Sequence, residues 1–451
     1  MNNTAHAPKL SPPVPIDLLI EACWIIPIEP ANVTLEDYAL AIDQGNIIAL
    51  LPQAEARTRF APHETVLLPN HILMPGLVNL HTHAAMTLLR GLADDLPLME
   101  WLKNHIWPAE AKHVSPQFVY DGTRLACAEM LQGGITCFND MYFFPKAAAE
   151  AALHAGIRAS IGLVTMEFST AYATDADDYL DKGMTVRDQL RDQILLSFCL
   201  APHAPYTVSD QSFARILTLS EQCHLPIHLH LHETAQEITD AEKQYGQRPL
   251  ERLRQIGLLS PGLIAAHAVH LTSDEIDTLV AHGCSVAHCP SANLKLASGI
   301  APVADMIAHG LNVGLGTDGA ASNNRLDIFM EMRMAALLAK AQSGDAEAVD
   351  AHQALRMATL AGAQALGLDA RIGSLRPGKA ADLCAIDTAK IPLTPCYDAA
   401  SLAVYSAGRE HVSDVWVAGI QRLKSGQRVE NDEIELINSG RLWQNRVRLS
   451  K

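Results

Sequence analysis

Between residues 71 and 370 the chain repeats one local pattern: a capped helix with a single apolar face, a glycine stop, then a short apolar strand. Ser115-Pro116 supplies an N-cap followed by proline at the first helical position, apolar spacing runs to Met130, and Gly133-Gly134 ends the helix before the strand Ile135-Thr136-Cys137-Phe138. Ser209 opens a helix carrying Phe213, Ile216 and Leu217, which leads into a strand from Pro226 to His232. Thr272-Ser273-Asp274-Glu275 has the form of a capping box; its helix carries Ile276, Leu279 and Val280, stops at Gly283 and feeds the strand Cys284 to His288. A parallel strand needs a crossover helix to reach its neighbour, so sustained alternation of this kind predicts a (β/α)8 barrel. An open doubly wound sheet is the alternative, but no glycine-rich phosphate loop follows an early strand.

The flanks have a different texture. Residues 16–70 read as short strands, with Tyr38 to Ile42 and Ile47 to Leu50 on either side of Asp43-Gln44-Gly45-Asn46, a hairpin signal. Residues 371–451 return to that texture in Ala381 to Asp387 and Val412 to Val417, followed by a C-terminal tail. The two flanks are expected to pair across the chain ends as one small β-sandwich beside the barrel, with residues 1–15 a loose N-terminal tail.

Composition excludes several classes of function. A net charge of −16 argues against a nucleic-acid surface, which would need clustered lysine and arginine. No apolar run reaches the length that spans a bilayer, and the segment before Pro15 lacks the apolar core of a signal peptide. The nine cysteines are odd in number and form no C-x-x-C pair, which suits free thiols in a reducing cytoplasm.

In a (β/α) barrel the chemistry sits at the carboxyl ends of the strands, and the metal-ligating residue types fall there. Leu77 to Leu80 delivers His81 and His83, which share one strand face and reach one metal. Ile227 to Leu229 delivers His230 and Glu233, Leu263 to Ala266 delivers His267, and Val313 to Gly316 delivers Asp318. A divalent metal with a proton-carrying carboxylic acid beside it is what attack of water on an amidine or amide carbon requires. The period of two places His228, His230 and His232 on one face, more imidazoles than one metal already held by His81 and His83 takes. His230, with an acid three places on, is the expected ligand; His228 is expected to be a core histidine, while pocket mouth and core stay open for His232, and structural and site-supporting roles for His288. Glu233 is expected to carry the proton, and Asp318 to be both ligand and general base.

These residues, in this order, resemble the amidohydrolase superfamily. Met74-Pro75-Gly76-Leu77-Val78-Asn79-Leu80-His81-Thr82-His83 is similar to its opening strand. The stretches His288 to Leu296 and Leu315 to Asn324 are similar to the 5-methylthioadenosine/S-adenosylhomocysteine deaminases. The likeness is dense over residues 70–370 and looser in the flanks, including Gly373 to Asp382. It implies one divalent metal, Zn2+ with Fe2+ as the alternative, on His81, His83, His230 and Asp318. It also implies substrate contacts from Glu110, His203 and Glu233, with Glu110 on the ribose 2′ and 3′ hydroxyls, which a carboxylate can accept together. The activity implied is hydrolytic deamination at C6 of adenine nucleosides. Asp318 takes the proton of the attacking water, Glu233 protonates N1, and His267 holds the attacking oxygen. The expected partner is a small nucleoside, with neither nucleic acid nor membrane; a homo-oligomer stays open.

One departure bears on the substrate. Members that accept S-adenosylhomocysteine place arginines against its amino-acid carboxylate, yet Ala159 to Val164 offers none and Arg187 is a loose candidate. Adenosine and its 5′-methylthio and 5′-deoxy analogues are therefore expected ahead of S-adenosylhomocysteine. Lys103 and Lys112 fall outside strand ends, against the carbamate bridge of two-metal relatives. Guanine deamination and triazine dechlorination use the same machinery and remain alternatives. So does a non-catalytic binding barrel, against which stands the presence of all four ligand positions.

Overall fold

The computed structural model describes residues 12–449. Eight parallel strands follow one another in chain order around a barrel: β1 (Leu77–Thr82), β2 (Ile135–Tyr142), β3 (Arg158–Thr165), β4 (Leu196–Pro202), β5 (Ile227–Leu231), β6 (Leu263–His267), β7 (Ser285–His288) and β8 (Asn312–Leu315). Nearly every residue of these strands is buried, as expected when helices cover one face and the opposite strands the other. The caps read from sequence form as expected. Ser115 accepts from Phe118 N at the head of Pro116–Gln132, and Thr272 and Glu275 complete a capping box.

The ring closes between β8 and β1 without a backbone ladder among the described residues. Asn79 and Thr317 make the join: Asn79 Nδ2 donates to Thr317 Oγ1 at 2.8 Å and Thr317 N donates to Asn79 Oδ1 at 3.0 Å. Asp318 N then donates to His81 O at 2.9 Å. Gly316 permits the approach, since a Cβ there would meet His81 Cβ at 2.8 Å. The seam thereby sets His81 and Asp318 beside each other.

A second eight-stranded sheet is built from both flanks, with Phe60–Pro75 of the N-terminal flank paired to Leu383–Asp387 of the C-terminal one. The hairpin Leu35–Asp43 and Asn46–Pro52 turns through Gln44-Gly45, both with positive φ, in the two-residue form favoured by strand twist. The sheet curls until that turn reaches the far arm: Ala381 N donates to Gly45 O at 2.9 Å, and a Cβ on Gly45 would strike Ala418 O. Leu18, Ile20, Leu40, Ile42, Leu383 and Trp416 share the core so enclosed. Arg158, at the base of β3, forms a two-pronged ion pair with Asp382, at 3.0 and 3.1 Å, joining barrel to sheet.

Two features differ from expectation. The chain end is no tail: Glu433–Arg448 is a helix lying on Pro116–Gln132, with Trp443 edge-on to Phe118 at 5.1 Å and its Nε1 donating to Asp121 at 2.8 Å. The expected N-terminal tail lies outside the described residues as far as residue 11, and a strand is already under way at Val14. No described helix is long and apolar enough to cross a membrane, and all nine cysteines are free thiols.

Candidate active site

The carboxyl ends of the strands converge on a cavity of about 550 Å³ whose lining includes His83, Glu110, His203, His230, Glu233, His267 and Asp318. His81 lies fully buried just beneath. Asp318 Oδ1 sits 3.4 Å from His81 Nε2 and 3.2 Å from His83 Nε2. Two overlapping trios, His81–His83–Asp318 and His81–His230–His267, bring their donor atoms within 4.8 Å of one another.

The outward ring nitrogens are anchored, which aims the inner ones. His83 Nδ1–H donates to Met141 O at 2.6 Å and His230 Nδ1–H to His203 O at 2.7 Å. His267 Nδ1–H donates to Asn293 Oδ1 at 2.8 Å. His81 Nδ1 lies 2.9 Å from His228 Nε2, and His228 Nδ1 lies 3.0 Å from Asn139 Nδ2. Rings held this way aim their Nε2 atoms at one point, where with a metal bound each would offer it a lone pair. The point suits a divalent cation: His81 Nε2 is buried with no hydrogen-bond partner, and the donors are nitrogen and carboxylate oxygen.

The charges point the same way. Burial opposes ionisation of Asp318, yet His81 and His83 hold its carboxyl well below the usual carboxylate range. Burial would likewise lower His83, but the Asp318 contact lifts it to about 9. A buried carboxylate that captures a proton on a neighbouring imidazole is a carboxylate in need of a cation. Ser322 Oγ also donates to Asp318 Oδ2, at 2.5 Å, and Gly319 N to Oδ1, at 2.7 Å.

Glu233 lies against this cluster, and burial pushes its carboxyl up from the ordinary value, helped by the negative charge of Asp318. Its backbone N–H is held by Glu237 Oε2 at 2.8 Å. Glu110 stands across the cavity on the short helix Trp107–His113, outside the barrel strands. Burial lifts its pKa to about 7 although Tyr142 Oη donates to its Oε1 at 2.6 Å. Burial takes His203 down to about 3, so its ring is neutral, with Nδ1 3.1 Å from Thr207 Oγ1.

All eight residues singled out from sequence thus border one place, and of three neighbouring histidines one, His232, departs from what the strand periodicity implied. His232 does not share the face of His228 and His230, because the strand ends at Leu231 and His232 takes φ 53°. Its ring turns away from the cavity, accepting from Leu250 N at 3.2 Å and facing Glu275. His228 is buried, as expected, but backs His81 directly. His288 is buried and outside the cavity lining, with Nδ1 unpartnered.

Sequence reasoning missed the end of β2. Asn139 donates to Leu80 O at 3.0 Å and adjoins His228. Asp140 accepts from Ala84 N at 2.7 Å, Met141 offers its carbonyl to His83, and Tyr142 grips Glu110. Four consecutive residues support four parts of the site without lending a ligand. Polar residues inside a buried strand were the available signal.

The profile of the amidohydrolase family matches residues 72–422. A 5-methylthioadenosine/S-adenosylhomocysteine deaminase of Teredinibacter turnerae is 45% identical over 432 residues, 96% of this chain and 98% of that protein. A crystal structure of an adenosine deaminase from Xanthomonas campestris with bound zinc superposes with a TM-score of 0.96 at 51% identity, covering 97% of this chain and all of the other. The atrazine chlorohydrolase of Arthrobacter aurescens shares the fold at a TM-score of 0.88 and 23% identity, over 94% of this chain and 99% of its own.

Proposed function

The chain belongs to the amidohydrolase family, and from that premise we propose that its cavity deaminates adenine nucleosides by hydrolysis, yielding the inosine analogue and ammonia. The observation that carries this reading is a single cavity joining two kinds of group: the imidazole–carboxylate cluster with Glu233 on one side, and Glu110 on the other. The first is equipment for hydrolysis; the second, a carboxylate outside the barrel strands, suits a cis-diol.

The enzyme is a metal-dependent hydrolase. We assign His81, His83, His230 and Asp318 as ligands, and zinc as the ion, a choice supported by the donor set and by the zinc-bound relative from Xanthomonas campestris. A divalent ion held there lowers the pKa of water toward ~7 and so supplies a nucleophile at neutral pH. Asp318 receives the proton of the attacking water, its carboxylate being kept ionised by the two histidines. Glu233, whose burial favours the protonated acid, donates to purine N1 and makes C6 electrophilic. His267 donates nothing inward while Nδ1–H is engaged with Asn293; its Nε2 accepts from the attacking O–H and orients it. Proton transfer to the 6-amino group then releases ammonia. Glu110 holds the ribose hydroxyls and His203 bonds to the nucleoside.

We place the 5′ end against the apolar part of the cavity: Trp101, Leu102, Trp107, Phe168 and Tyr172 line it, and its lining includes no lysine or arginine. An amino-acid carboxylate finds no counter-charge there, so methylthioadenosine, 5′-deoxyadenosine and adenosine are the substrates assigned, ahead of S-adenosylhomocysteine.

Glu233→Gln tests the assignment. General acids typically contribute ~10²–10⁴-fold, so the variant should lose at least a hundredfold in ammonia release from adenosine while keeping its metal. Near-normal turnover would remove Glu233 from the mechanism. A full loss of metal would assign it instead to the ligand set.

A further inference from the structure

Glu110 is the one proposed substrate contact carried away from the barrel's strand ends. It rides on Trp107–His113, a two-turn helix that follows a π-helical turn at Leu102–Ile106. A short helix on such a turn does not by itself set a carboxylate to a fraction of an ångström. Tyr142, by contrast, ends a strand paired along its length to β3, where it lies opposite Leu163, and is 5% exposed. Its phenol donates to Glu110 Oε1 at 2.6 Å.

Resting on the nucleoside-deaminase reading, we propose that Tyr142 is a positioning residue for ribose recognition: its hydroxyl fixes Glu110 so that the carboxylate meets the 2′ and 3′ hydroxyls together. The stoichiometry of the carboxylate fits this role. Two oxygens offer about four lone-pair directions; the phenol takes one, and enough remain for two sugar hydroxyls. A free carboxylate must be ordered when the sugar binds, whereas one pinned from behind is already ordered. The same bond favours the ionised carboxylate, partly offsetting the burial that favours its protonated form. The charged and titratable groups that bear on this pair are His83, Asp140 and Tyr179.

The inference separates Tyr142 from an ordinary core tyrosine. Its ring also packs near Phe143, at 5.2 Å between centroids, and a purely structural role would reside in that packing. Tyr142→Phe keeps the ring and removes the hydroxyl, so packing is conserved and the carboxylate released.

The experiment compares Tyr142→Phe with wild type on adenosine and on 2′,3′-dideoxyadenosine, reading KM and kcat separately. A hydrogen bond to a charged group sets the scale: KM for adenosine should rise about tenfold with kcat within a factor of about two, while KM for the dideoxy substrate stays put. Adding Tyr142→Phe to Glu110→Gln should give no further rise, because the phenol acts only through that carboxylate. An unchanged KM for adenosine, or an equal rise for both substrates, overturns the positioning role. Failure of the wild type to release ammonia from either nucleoside overturns the deaminase reading on which it stands, a result the substrate comparison keeps distinct.

Discussion

Under the proposed diol contact, the carboxyl of Glu110 should make substrate affinity depend on pH in a way the chemical step does not. Burial is the main cause of its elevation to about 7, with the Tyr142 bond and the positive field of His83 pulling the other way. Only the ionised form accepts from both sugar hydroxyls; the protonated form brings a donor of its own where an acceptor is needed. With a pKa near 7 the ionised fraction is roughly nine-tenths at pH 8, one half at pH 7 and one-tenth at pH 6. The sign follows: affinity for a diol-bearing nucleoside weakens as pH falls, and KM rises about tenfold across those two units. Other groups titrate in the same range, so the quantity to measure is the ratio of KM for adenosine to KM for 2′,3′-dideoxyadenosine, from initial rates of ammonia release at pH 6, 7 and 8. Perturbations of metal, Glu233 and base binding cancel in the ratio. In Glu110→Gln the ratio should be flat with pH. A flat ratio in the wild type would refute the assignment of Glu110 to the diol, whatever the absolute rates.

Further outcomes follow from other contacts. Replacing His228 with leucine leaves His81 Nδ1 without its 2.9 Å partner; loss of such a supporting bond typically weakens metal affinity ~10–100-fold, readable by chelator competition without any activity assay. Chelation of the wild type should abolish ammonia release and lower the melting temperature, and restoring zinc should recover both; an apo protein with full activity would exclude the metal mechanism. Asp382→Ala strands the Arg158 guanidinium, 3% exposed, and breaking a buried pair from one side costs about 3–5 kcal/mol; a melting temperature equal to wild type would contradict the buried pairing. With no lysine or arginine lining the cavity, the enzyme should show higher kcat/KM for methylthioadenosine than for S-adenosylhomocysteine, and the reverse order would point to a cation outside the cavity described.

Much of this was legible in the residues. Capped helices alternating with apolar strands predicted the barrel, and the Asp43 to Asn46 turn predicted its hairpin, because both depend on contacts within a few residues. The histidines and acids at strand ends were legible for the same reason: a barrel brings its strand ends together whatever the loops do. The Tyr142–Glu110 bond was not, since it spans 32 residues and depends on how one helix folds back over the rim. His232 was misplaced because alternation holds only while the strand continues, and a positive φ ends it one residue early. The docking of Glu433–Arg448 is likewise a matter of distant packing, with Trp443 too isolated to announce a partner.

The end of β2 has a further consequence, for how such an enzyme can change. Asn139 and Met141 face the hydrolytic cluster, while Tyr142 faces the segment bearing Glu110, so chemistry and recognition share one rigid abutment without sharing side chains. The helix Trp107–His113 meets that abutment through the Tyr142 phenol, whereas Ala84 at the other end of the same rim segment is tied to Asp140. A change at Met141, which orients His83 through its carbonyl, would have to preserve the main-chain path, which an insertion there would displace.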